Sequence, residues 1–126
     1  MMAAWKGHLD IVKFLLSVGA DPSATVVSGH SALLIASEAL RDDIVETLLE
    51  AGASLKASLE DGRNALNLAI ANNPRATRIV QMILDRPEGP SLIHQVRTTQ
   101  NFKNVTALHL CAEENCGIHL SFIICL

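Results

Sequence analysis

Between Leu9 and Ser17 the chain sets Ile11, Val12, Leu15 and Leu16 at i, i+1, i+4 and i+5, with Asp10, Lys13 and Ser17 among them. That spacing gathers the aliphatic side chains on one side of a helix and the polar ones on the other. The same spacing returns at Ile44, Val45, Leu48 and Leu49, and again at Ile79, Val80, Ile83 and Leu84. Gly19 and Gly52 follow the first two stripes, where a helix commonly ends on a residue with positive φ. A second, shorter apolar segment precedes the second stripe: Ala32-Leu33, Ile35-Ala36 and Ala39. Its small residues suit an inner helix closely approached by its neighbours. The following stretch from Ser54 to Arg63 has turn chemistry at Asp61-Gly62, which predicts an extended finger.

The pattern therefore predicts helices near residues 32–40, 42–51, 65–72, 75–85 and 107–115. It predicts a buried ladder of Ile11, Leu15, Ile44, Leu48, Ile79 and Ile83. Neither helix of a pair can bury its apolar face alone, so the pairs must stack.

Sliding the chain against itself reveals the repeat. At a shift of 33, twelve of the 33 pairs between residues 1–33 and 34–66 are identical, among them Ile11/Ile44, Leu15/Leu48, Gly19/Gly52 and Gly29/Gly62. The third unit follows at 35, with two residues added near Asn72-Asn73-Pro74. A fourth opens at Thr106-Ala107-Leu108-His109, answering Asn64-Ala65-Leu66-Asn67 at 42. Seven further residues thus enter around Pro87-Glu88-Gly89-Pro90. Leu92, Ile93 and Val96 in that insertion predict a short helical turn, over about 91–96, docked on the stack. The units run 1–27 (partial), 28–60, 61–103 (with insertions) and 104–126 (incomplete), within one array over 1–126.

The run from Gly7 to Asp21, Gly-His-Leu-Asp-Ile-Val-Lys-Phe-Leu-Leu-Ser-Val-Gly-Ala-Asp, resembles the second helix and following loop of an ankyrin repeat. Thr106-Ala107-Leu108-His109 resembles the family's Thr-Pro-Leu-His opening of the first helix, although Ala replaces Pro at Ala32, Ala65 and Ala107. The resemblance implies an all-α solenoid of about four helix-turn-helix repeats with hairpin fingers, both ends incomplete. It also implies a non-catalytic protein-protein interaction module that uses its concave face and finger row. A regulatory ankyrin segment of a larger enzyme, channel or sensor, or a truncated gene fragment, is the alternative. The loop Asn that the family's hydroxylases modify is replaced by Ser23 and Lys56, and a family His at His109 would hydrogen-bond the fingers.

Composition narrows the partner. Apolar residues make up 49% of the chain and aromatics 3%, so the core is aliphatic. A net charge of -3 opposes a nucleic-acid interface, which needs a basic stripe. It also offers no polybasic handle to a membrane. The apolar segment 118–126 is short of the roughly 20 residues a spanning helix needs. It is instead a candidate for self-association. Cys111, Cys116 and Cys125 are crowded near the end and do not form a disulfide framework. An intracellular setting, cytoplasmic or nuclear, is the expectation.

Candidate chemistry is sparse. His109, Cys111, Glu113, Cys116 and His119 lack metal-ligand spacing, with neither Cys-x-x-Cys nor His-x-x-x-His present. No nucleophile elbow and no Gly-x-x-x-x-Gly-Lys loop occurs, so no catalytic, cofactor or metal site is expected. The candidates that remain are partner contacts. Trp5, the sole tryptophan, lies late in an inner helix, where its counterparts include Glu38 and Glu113. Leu59 and Phe102, with Val26, Val27 and Val105, make the finger row apolar. Glu60, Arg63, Lys103 and His30 would supply its charged rim.

Overall fold

The structure, a computed structural model, describes residues 1–72, 76–94, 97–99 and 102–105, with side chains over 1–71 and 76–92. Three helix pairs follow one another: α1 (Met2–Lys6) with α2 (Leu9–Ser17), α3 (Ala32–Glu38) with α4 (Asp42–Glu50), and α5 (Ala65–Asn72) with α6 (Thr77–Leu84). Inner helices stack in one row, α1 on α3 on α5, and outer helices in a second, α2 on α4 on α6. The result is an all-α solenoid of two layers. Hairpin fingers join the pairs, closed by bridges Thr25↔Ser31 and Ser58↔Asn64. A third hairpin, β1 (Arg97–Thr99) with β2 (Phe102–Val105), pairs antiparallel after α6. The predicted helix over 107–115 lies outside the described residues.

Local chemistry sets the helix boundaries. Ser31 caps α3, its Oγ accepting the Leu34 N–H at 3.2 Å. Asn64 and Asn67 cap α5 reciprocally: Asn67 N–H donates to Asn64 Oδ1 at 2.9 Å, and Asn64 N–H to Asn67 Oδ1 at 3.2 Å. Two otherwise orphaned helix-start donors are thereby satisfied. Between α1 and α2, Gly7 takes φ 84 while the N–H groups of Gly7 and His8 both reach the Ala3 carbonyl. The same turn one repeat later holds Leu40 at φ 55, a conformation that L side chains resist.

The core is an aliphatic ladder between the rows. Ile44, Val45, Leu48, Leu49, Ile79, Val80, Ile83 and Leu84 are all buried. Four rungs of the predicted ladder are in place. The first two are not, and this corrects the sequence expectation: Ile11 is 49% exposed and Leu15 41%. Only Val12 of α2 is fully buried. An outer-helix stripe is covered by the outer helix before it, α2 over α4 and α4 over α6. Among the described residues no helix pair lies on the other side of α2.

The insertion forms a short helical turn, but it begins two residues before the expected one. A 3₁₀ turn, Gly89–His94, docks through Leu92, which is 1% exposed. Asn64 Nδ2 donates to the Leu92 carbonyl at 3.3 Å, tying the insertion to the start of α5. Gly89 is buried against the last turn of α6, where a side chain would collide with the Ile83 carbonyl. The Ile93 side chain and Val96 lie outside the described residues.

Candidate partner-binding surface

In α3 the stack uses Leu33, Leu34, Ala36 and Ser37, all buried, and leaves Ala32, Ile35 and Glu38 half-covered. Adding 33 to Trp5 gives Glu38, so both occupy one position on successive inner helices. Trp5 is 45% exposed and Glu38 is half-buried. Ala71 holds this position in α5 and is exposed too. The row is thus exposed to solvent at its two ends and half-covered at Glu38.

The fingers supply the remaining candidates. In the first, Val26 is 46% exposed and Val27 protrudes entirely. Ser28 Oγ and His30 Nδ1 share a hydrogen bond of 2.8 Å. In the second, Asp61 organises Arg63 twice, accepting its backbone N–H at Oδ1 (3.0 Å) and its Nε at Oδ2 (2.6 Å). Both side chains stay about a third exposed. The guanidinium is thus held in place at the base of the finger, and a fixed Arg loses less rotamer freedom on binding. Glu60 is exposed at the tip.

Leu59 requires a correction. It is only 7% exposed, so it is a packing residue and cannot be a large contact presented to a partner. The first finger lies against it: a Cβ built on Gly29 would be 3.5 Å from Leu59 Cα and 2.7 Å from the Ser58 carbonyl oxygen. Gly29, at φ 79, permits that approach. Phe102 and Lys103 lie on β2. Their side chains, like Glu113, fall outside the described residues.

No group of His, Cys, Asp or Glu that could hold a metal occurs among the described residues. His109, Cys111, Cys116 and His119 lie beyond them. The hollow beside α2, about 240 Å³ and lined by Met1, Val12, Leu15, Leu16, Pro22 and Leu48 among others, is largely aliphatic, with Asp21 the one carboxylate in its lining.

The family pattern described as ankyrin repeats (3 copies) matches residues 1–92. The chain belongs to the ankyrin repeat family. No curated protein matches it. Ankyrin repeats are in general protein-protein interaction modules. Among the described residues no helix is long and apolar enough to cross a membrane.

The Asn64–Asn67 box was missed in the sequence, although its signal was there: two Asn three apart at the start of an apolar run. It replaces the family's Thr-Pro-Leu-His opening with a different cap. Asn67 Nδ2 is buried and has no partner among the described residues.

Proposed function

We propose that this ankyrin array is a non-catalytic binding module that grips another protein through its inner-helix row and fingers. The observation that supports it most is the pairing of an open Trp5 with an Arg63 already held by Asp61, both outside the stacking interfaces. Trp and Arg are the types that most often dominate interface energetics. Glu38 and Glu60 are the module's proposed acidic contacts, and Phe102, Lys103 and Glu113 are further proposed contacts. The partner is a protein rather than a nucleic acid, consistent with the net charge of -3. An intracellular setting suits a chain with this cysteine pattern.

The test begins with proximity labelling in the native cell to obtain a partner, followed by titration of the purified pair. Trp5→Ala and Arg63→Ala should each weaken binding at least tenfold with the helical signal and melting curve unchanged. Binding lost only along with the fold would reduce both residues to a structural role. Turnover of a substrate by the purified chain would overturn the non-catalytic reading.

A further inference from the structure

Asp61 is the one aspartate of six in this chain that precedes a glycine. The others precede Ile, Pro, Asp or Arg, and no asparagine precedes a glycine either. Glycine has no Cβ to obstruct its own amide nitrogen, so an aspartate before it can close on the backbone. The Gly62 nitrogen attacks Asp61 Cγ. The N–Cγ bond forms, a Cγ–O bond of the protonated carboxyl breaks, and the oxygen leaves as water with the amide proton. Water then opens the resulting succinimide. Addition at Cγ restores aspartate, and addition at the backbone carbonyl carbon leaves isoaspartate, with the chain running through Cβ. The reaction is redox-neutral, and its only co-reactant is water.

The folded finger holds both reacting groups back. Asp61 Oδ1 accepts the Arg63 backbone N–H at 3.0 Å, the bond two residues on that aspartate makes in turns, and Oδ2 accepts the Arg63 Nε–H at 2.6 Å. One of these oxygens must leave, and each is engaged in a charge-assisted bond, the stronger kind. The Gly62 N–H is itself donated to the Leu59 carbonyl at 2.9 Å. The nucleophile must give up that bond before it can attack. Burial is not the restraint, since the Asp61 side chain is 29% exposed.

We propose that Asp61-Gly62 is a site of isoaspartate formation held in check by Arg63, a positioning residue that acts on the Asp61 carboxyl. Isoaspartate, once formed, dismantles the finger. The backbone gains an atom inside the turn that the Ser58↔Asn64 bridge closes. The Leu59 N–H bond to the Arg63 carbonyl, 2.9 Å, spans the same turn and loses its register. The carboxyl now sits directly on Cα, one methylene shorter, and loses the reach that the clamp on Arg63 uses. On the reading of the finger as a partner contact, on which this consequence alone rests, isomerisation withdraws the held arginine from that surface.

The test needs no partner, so its outcome is independent of the binding surface. The full chain is incubated at neutral pH and body temperature, folded and in urea. Isoaspartate is located by electron-transfer fragmentation and counted by isoaspartyl methyltransferase labelling. Unfolded wild type should accumulate it at Asp61 ahead of every other residue, and the folded chain at least tenfold more slowly. Folded Arg63→Ala should isomerise severalfold faster than folded wild type, while in urea the two match, because the clamp exists only in the fold. If circular dichroism shows Arg63→Ala unfolded, Arg63→Met, which keeps the aliphatic stem without the donor, takes its place. Equal rates in folded and unfolded wild type would overturn the proposal. So would a folded variant no faster than wild type, or isoaspartate gathering first at another residue.

Discussion

Leu15 and Leu48 hold the same position in consecutive repeats, 33 residues apart, yet Leu48 is 2% exposed and Leu15 41%. The two leucines differ in nothing but their neighbours: α2 lies over Leu48, and among the described residues no helix pair lies over Leu15. Burial in a stack of repeats comes from the adjacent unit, not from the side chain's own helix.

Truncating the two should therefore have unequal effects. Leu48→Ala should cost about 2–5 kcal/mol, the range for a buried leucine. Leu15→Ala should cost less than about 1 kcal/mol, because much of its surface already meets water. Urea unfolding followed by circular dichroism gives both values, and equal losses would contradict the stacking account.

The first finger should tolerate no side chain at Gly29. A Cβ there meets the Ser58 carbonyl oxygen at 2.7 Å, on a backbone with φ 79. Gly52, at φ 83, has no atom within 4 Å of such a Cβ. Gly52→Ala should cost only the left-handed strain, about 1–2 kcal/mol. Gly29→Ala should cost clearly more, since rigid backbone must also move. Thermal melts of the two variants would show the order.

Asn64→Ala removes a helix cap and the tether to the insertion at once. Loss of the cap alone is worth about 1 kcal/mol, and the 3.3 Å bond to the Leu92 carbonyl adds to it. A total of about 2–3 kcal/mol is expected, with the Asn67 N–H losing its acceptor and the Leu92 carbonyl its donor. Faster amide exchange at the start of α5 and across Gly89–His94 should accompany the loss. Exchange altered at α5 alone would show that the tether contributes nothing.

At Leu40, φ 55 stores strain that Gly7 avoids one repeat earlier. Leu40→Gly should release about 1–2 kcal/mol of that strain while giving up a half-buried side chain packed on the core. The two effects offset, so the variant should melt within a few degrees of wild type. A collapse like that expected of Leu48→Ala would mean that packing at Leu40 far outweighs its backbone strain.

The sequence disclosed the helices because each carries its own period: α3 to α6 all fall within the expected spans, shorter by up to two residues at an end. It disclosed the turns at Gly19, Gly52 and Gly62 because positive φ selects glycine. What it misplaced depends on neighbours. The apolar period of α2 is correct, but nothing in it records whether another helix lies above Ile11 and Leu15. Leu59 was misjudged for a related reason, since finger-to-finger packing depends on Gly29 in the preceding repeat. The left-handed Leu40 was legible in principle, because alignment at 33 sets it opposite Gly7. Of the candidate surface, Trp5 was found from its isolation in the sequence, whereas the clamp of Asp61 on Arg63 needed the folded finger.

The central claim is that the inner-helix row and the fingers bind a partner while the outer helices only support them. Amide hydrogen exchange of the chain with and without its captured partner tests this most directly. Protection should rise over Met2–Lys6 and across residues 58–64, and stay unchanged on the solvent side of α4 and α6. Protection gained only on α4 and α6, with Trp5 and the second finger exchanging as in the free chain, would contradict it.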